Sequence, residues 1–238
     1  MDKSIVSEII DKAIEEGRKE LNEVESKRLV SAYDIPVARV KLAKSLDEAI
    51  HIANEFGYPV VLKIFSPDIL HKSDVGGVVV NIKNDEQLSE AYNRIMDNVA
   101  KVKPNARIVG VVVQEYAPQG LEVIVGGIHD PFFGPTIMFG LGGIWVELIK
   151  DVTFRIAPIG EDEAEDMIRE IKGYKLLTGY RGSEPVDIDA LRSLIVRTSE
   201  LIYDFQEIGE LDLNPIMLYR KGLKAIDARV ILRKTNSH

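Results

Sequence analysis

The chain has 238 residues, 45% hydrophobic and 29% charged, enough for one large domain or two small lobes with a real core. It has no cysteine, which excludes disulfides, thiolate metal sites and a cysteine nucleophile, and its net charge of −8 argues against general nucleic-acid binding, where Lys and Arg must neutralise phosphate. No apolar run approaches the ~20 residues that span a bilayer, and Met1-Asp2-Lys3-Ser4 lacks the basic and apolar regions of a signal peptide; the expectation is a soluble cytoplasmic protein with no membrane partner.

Along the chain, Ile5, Ile9, Ile10 and Ile14 recur at helical spacing over 4–16, and Gly17 ends that helix. A second helix follows Asn22 and stops before Pro36, because the residue preceding a proline disfavours helical backbone. Val37 to Leu42 reads as a short strand. Ser45-Leu46-Asp47-Glu48 is a capping box, and its helix has Ala49, Ile50, Ala53 and Phe56 as the expected buried stripe, ending at Gly57. Pro59 to Ile64 is apolar and β-rich, hence a strand buried on both faces. A loop over 66–77 leads to a strand over 78–82, and Asn84 opens a helix built on Leu88, Ala91, Ile95 and Val99. Strands are expected over 107–116, 121–128 and 135–139, and helices over 161–172 and 188–205. Two final strands, 208–219 and 223–232, meet at the turn Arg220-Lys221-Gly222. Without the βαβ rhythm of a parallel sheet, the class is α+β with largely antiparallel sheets. Ala117-Pro118-Gln119-Gly120 interrupts two strands and is the candidate hinge.

Lys63 sits inside an apolar strand, where a lysine either snorkels to an edge or meets an anion. The loop after it includes His71, Lys72, Ser73, Gly76 and Gly77. Paired glycines let backbone amides approach a phosphate, and Lys72 and Ser73 add donors, although a polar connection with a Gly-Gly bend explains the same residues. No Gly-Lys-Ser/Thr opens a helix here, so this is not a Walker loop. Gly140-Leu141-Gly142-Gly143 reads first as a tight turn. In Glu210-Leu211-Asp212-Leu213-Asn214-Pro215, alternation puts Glu210, Asp212 and Asn214 on one face and the leucines on the other. Asn214 and Asp227 lie thirteen residues apart with Gly222 in a turn between them, so a hairpin brings the two side chains together. Oxygen donors of this kind suit Mg²⁺, which takes one or two protein ligands plus phosphate oxygens; a solvated acidic face is the plainer alternative.

Lys63, the Gly-Gly loop, Gln114-Glu115-Tyr116-Ala117, Leu121-Glu122-Val123 and the closing Glu-Leu-Asp-Leu-Asn-Pro and Ile-Asp-Ala-Arg stretches occur in the order of ATP-grasp proteins. More narrowly, the chain resembles the β subunit of archaeal ADP-forming acetyl-CoA synthetase, a relative of the succinyl-CoA synthetase β chain. The similarity runs from about residue 20 to about residue 232 and includes Gly179-Tyr180-Arg181-Gly182.

The resemblance implies an ATP-grasp fold of two lobes clasping a nucleotide: a helical extension over 1–20, a first lobe over 21–116 and a second lobe with the metal site over 117–238. It implies that Glu115, Tyr116 and Ala117 meet adenine, Glu122 the ribose, and Lys63 the α/β-phosphates, under a cover of the 72–77 loop. Asn214 and Asp227 would hold Mg²⁺, with Asp212 beside them, and ADP or ATP would be the substrate. Positioning and charge neutralisation are what phosphoryl transfer needs. By the same resemblance His71 is transiently phosphorylated, a role open to a neutral imidazole. Arg155 and Arg181 have equal claims as phosphate or partner contacts and as ordinary salt bridges. No G-x-G-x-x-G opens a helix, so the CoA site and a first phosphohistidine are expected on an α subunit, in an α2β2 assembly. An ATP-grasp carboxylate–amine ligase and a nucleotide-sensing module without turnover are the rival readings.

Overall fold

Helix starts follow local capping chemistry. The computed structural model describes residues 1–69, 71–143 and 149–233. Helix α1 (Lys3–Glu15) begins where the Asp2 carboxylate accepts the Ser4 and Ile5 amides. Helix α2 (Glu23–Ser31) begins at a reciprocal box between Asn22 and Glu25. In α3 (Leu46–Phe56) the Ser45 hydroxyl accepts the Glu48 amide, while the Glu48 carboxylate reaches back to the Lys44 amide. Its buried stripe is Ala49, Ile52 and Ala53; Ile50 and Phe56 are only partly buried, a shift of the expected stripe by part of a turn.

The chain forms two compact units. The first is continuous, Ala38–Ala117. Its sheet joins β1 (Val40–Ala43), β2 (Val60–Phe65), β3 (Val78–Ile82) and β4 (Gly110–Glu115), all antiparallel, in the order β1-β4-β2-β3. Leu62 and Ile64 of β2 share a core with α3 and α4 (Asp85–Val102). Alternation turns Val61 and Lys63 to the opposite face, where register pairs them with Gln114 and Val112.

The second unit is discontinuous, Met1–Val37 with Pro118–His238. Its sheet runs β10-β8-β5-β6-β7, where β5 is Leu121–Asp130, β6 Gly134–Leu141, β7 Val152–Ile156, β8 Ile208–Leu218 and β10 Arg229–Leu232; β9 (Leu223–Ala225) also pairs with β8. Helices α5 (Glu161–Glu170), α6 (Tyr174–Leu177) and α7 (Ile188–Asp204) complete it. The first 37 residues are therefore not an extension followed by the start of the other lobe. Val6, Ile10 and Leu29 share one core with Leu194 and Leu213, and Tyr33 donates to Asp204 at 2.6 Å. Hydrophobic burial across some 170 positions decides this, and no local pattern reports it.

Two other expectations change. β7 is a strand beyond those expected, formed by Val-Thr-Phe-Arg-Ile, which is β-favouring throughout. The expected strand 223–232 is broken over 226–228. Pro215, opposite the break, has no amide to continue the ladder, and the Ile226 amide reaches across to the Pro215 carbonyl at 2.9 Å. Asp227 sits in that break.

Candidate functional site

In the continuous unit, Lys63 is half-buried on the sheet face away from α3 and α4. Beyond β2 the loop is anchored on both sides of His71. Asp68 accepts the Arg107 amide at 2.6 Å, and past His71 the Gly77 amide donates to the Lys72 carbonyl at 2.8 Å while the Gly77 carbonyl accepts from Ile64 at 2.7 Å. His71 is exposed between these anchors; Leu70, expected within this loop, lies outside the described residues. The amides of Gly76 and Gly77 are already donated inside the loop, Gly76 to Ser73 at 3.0 Å. The Gly-Gly pair therefore serves packing here. A Cβ on Gly77 would stand 2.5 Å from Ile64 Cγ2, and Gly76 has φ +62°.

At the end of β4, the Glu115 amide donates to the Arg39 carbonyl at 2.9 Å and the Tyr116 amide to the Pro59 carbonyl at 3.4 Å. The Glu115 carboxylate accepts from the Arg39 amide at 3.2 Å and faces its guanidinium at 3.4 Å. Gln114, beside Glu115 on β4, is 2% exposed.

In the discontinuous unit, Glu122 lies on β5 opposite Met217. The Gly142-Gly143 turn wraps onto it: Gly142 donates to the Glu122 carbonyl at 2.8 Å, and a Cβ on either glycine would come within about 3.1 Å of Glu122. The tight turn expected from Gly140 to Gly143 is corrected here: Gly140 and Leu141 end strand β6, paired with Ile124 and Val123, and only Gly142 and Gly143 leave the strand, holding backbone against Glu122. Sequence offered no link between positions so far apart.

β8 places Glu210, Asp212 and Asn214 on one face, with Leu211 and Leu213 buried beneath. Asp212 is paired across the ladder with Arg229. Asn214 and Asp227 flank the Pro215–Ile226 hydrogen bond, so the hairpin does bring these chain positions together. Burial pushes the Asp212 carboxyl above its usual value, and the nearby Glu210 and Asp227 carboxylates add to this, with Arg229 opposing. Carboxylates gathered with so little compensating charge suit a cation. The donors are all oxygen, as Mg²⁺ requires, and no group of three His, Cys, Asp or Glu that could hold a metal occurs among the described residues. Protein ligands here would have to be completed by phosphate oxygens or water. Arg229, the last residue of the Ile-Asp-Ala-Arg stretch, also pairs with Glu20 at 2.7 Å.

Arg155 is not part of this face. Its register partner is the buried Ile137, and it pairs with Glu170 of α5. Arg181 is exposed at φ +51°, its guanidinium carbon 5.4 Å from the centre of the Tyr180 ring. No helix among the described residues is long and apolar enough to cross a membrane.

Antiparallel sheets in two units, one bearing a lysine strand and its loop and the other an Asp/Asn hairpin, define a nucleotide-grasping class. The ATP-grasp domain family model matches residues 12–232, and the chain belongs to the ATP-grasp family. Among its relatives is the acetate–CoA ligase (ADP-forming) I subunit beta of Pyrococcus furiosus, 52% identical over 225 residues that span 94% of this chain and 97% of the relative. The acetate–CoA ligase (ADP-forming) I of Archaeoglobus fulgidus is 48% identical over 94% of this chain but only 33% of that longer relative. A solved dinucleotide-forming acetyl-coenzyme A synthetase 1 of Candidatus Korarchaeum cryptofilum superposes with a TM-score of 0.86 at 49% identity, covering 96% of this chain and 100% of that one. That structure is in complex with coenzyme A and Mg-AMPPCP, its phosphohistidine segment pointing towards the nucleotide-binding site.

Proposed function

We propose that the chain is the nucleotide-binding β subunit of a cytoplasmic ADP-forming acyl-CoA synthetase, working with a CoA-binding α subunit in an α2β2 assembly. The net reaction is acyl-CoA + ADP + phosphate ⇌ acid + ATP + CoA. The observation that carries this reading is His71, exposed on a loop pinned on both sides, following the strand that bears Lys63. A side chain presented in this way suits a carrier.

In the proposed sequence, the N–P bond of the partner's phosphohistidine breaks as a His71 ring nitrogen bonds to phosphorus. That new bond then breaks as a β-phosphate oxygen of ADP attacks, releasing ATP and neutral imidazole. Lys63 and Lys72 neutralise phosphate charge, and Ser73 adds a donor. Glu122 accepts from the ribose hydroxyls. Because the Glu115 and Tyr116 amides are engaged within the unit, adenine is met by Ala117 and by main-chain carbonyls of this stretch. The Gly76 and Gly77 amides contribute only if the loop opens. Asn214 and Asp227, with Asp212 as a further ligand or orienter, would hold Mg²⁺, which when bound neutralises charge on the phosphates.

The test is His71→Ala assayed with the cognate α subunit. ATP formation should be lost, while Mg-ADP affinity and the partner's formation of acyl phosphate persist. The wild-type chain should take an acid-labile, base-stable phosphoryl label from the phosphorylated partner. Intact ATP formation by the variant would reduce His71 to a loop residue.

A further inference from the structure

The sheet face that bears Asp212 divides into two territories. Register puts Glu210, Ile128, Thr136 and Ile156 on one rung and Asp212, Gly126, Met138 and Phe154 on another of the same face. Toward β8 and β10 this face is charged. Toward β7 it is apolar and uncovered: Ile128 is 46% exposed, Phe154 54% and Ile156 58%. The tip of the same hairpin adds Phe132 at 90% and Phe133 at 68%. That tip is not loose, since Asp130 accepts the Phe132 and Phe133 amides at 2.8 and 2.9 Å. Among the described residues β7 pairs only with β6, so the corner also ends in an open strand edge.

Single exposed apolar residues are ordinary; five at one corner of one sheet are not. Aromatic residues are enriched at interface centres. With a buried phenylalanine worth 150–250 Å², the exposed parts of the three offer roughly 400 Å². That is about half of the ~800 Å² per partner in a standard interface, enough for its centre.

We propose that this corner, Ile128, Phe132, Phe133, Phe154 and Ile156, is the surface on which the CoA-binding partner docks. The inference rests on the two-subunit reading above and adds the place of contact. Two observations favour this occupant over a second copy of the chain. In the relatives this domain is either a separate β subunit or one third of a longer chain, so the remaining two thirds is what a separate subunit must recover by surface contact. Self-association through this face would also bring Glu210 and Asp212 toward their own copies in a chain of net charge −8, a like-charge arrangement that interfaces avoid.

The experiment is a calorimetric titration of the purified chain with its purified cognate α subunit. It is repeated with the double variant Phe132→Ser/Phe133→Ser and, separately, with Ile156→Lys. Each variant should weaken the complex by roughly tenfold or more, with the melting temperature and Mg-ADP affinity of the isolated chain unchanged. Equal affinities for wild type and both variants would overturn the docking surface while leaving the two-subunit reading intact. A wild-type chain that does not bind the α subunit would overturn both. A wild-type homodimer split by these substitutions, with α binding preserved, would also overturn the proposal, giving the corner to a second copy.

Discussion

The two units follow one plan but turn side chains of different charge to the sheet face away from their helices. In Ala38–Ala117, a sheet packs α3 and α4 on one face and turns Lys63 to the other, with His71 and Lys72 in the loop beyond. In the discontinuous unit, a larger sheet packs α5 and α7 on one face and leaves Glu210 and Asp212 on the other, beside the Asn214 and Asp227 positions. Two cations and a base stand in one unit, and oxygen donors in the other. A lysine suits phosphate oxygens and a face of oxygen donors suits a cation, the two chemistries that a metal–nucleotide complex presents. The units differ also in how they are specified. The continuous one is built from neighbours in sequence, whereas the other needs its first 37 residues to find partners near its end.

Substitutions in each unit can break this division. The largest effect is expected from Asp227→Asn, which removes formal charge and nearly keeps shape. Metal charge stabilisation is worth several kcal/mol, so ATP formation should fall by ~100-fold or more and need higher Mg²⁺, with folding preserved. An unchanged Mg²⁺ titration would make Asp227 a surface carboxylate.

Next is Lys63→Met in the opposite unit. A hydrogen bond to a charged group is worth about 1.5–3 kcal/mol, so Mg-ADP should bind roughly 10- to 100-fold more weakly in a calorimetric titration. Retained affinity would show that Lys63 only snorkels.

A glycine in each unit sharpens the contrast further. A Cβ on Gly77 would stand 2.5 Å from Ile64 Cγ2 and 2.9 Å from the Lys72 carbonyl; on Gly142 it would stand 3.0 Å from Glu122 Cβ. Overpacking of this kind costs about 1–3 kcal/mol, with Gly77→Ala the more severe by melting. Gly142→Ala should also weaken Mg-ADP binding by shifting Glu122, and unaltered binding would separate that turn from the nucleotide.

The smallest expected effect belongs to Asp187, which caps α7 through the Ala190 amide at 3.0 Å and holds the β8–β9 turn through the Gly222 amide at 2.7 Å. The Gly222 hydrogen bond, then that from Ala190, holds its carboxyl below the usual aspartate value. Its stabilisation is therefore present above the unfolded pKa of ~3.9 and is lost as pH falls through the lower folded value. Asp187→Ala should cost ~1 kcal/mol at neutral pH, and the gap from wild type in chemical denaturation should narrow below about pH 4. A gap independent of pH would assign the cost to packing alone.

The α+β class, the caps at Ser45 and Asn84, the inventory of candidate side chains, and the element order apart from β7, α6 and the split of the last strand were determined by the sequence itself. Periodicity, cap chemistry and alternation are local signals, and α4 and β8 carry them in full. Only the tertiary structure decided which unit claims α1 and α2, that the Gly76 and Gly77 amides bond within their own loop, and that Gly142 and Gly143 press on Glu122. It also decided that Pro215 breaks the strand opposite it and leaves Asp227 at the gap, and that Arg155 turns to Glu170. Each of these depends on a contact between residues distant in the chain or on which of two faces a side chain takes. Burial and strand register settle such questions, and both are properties of the whole fold.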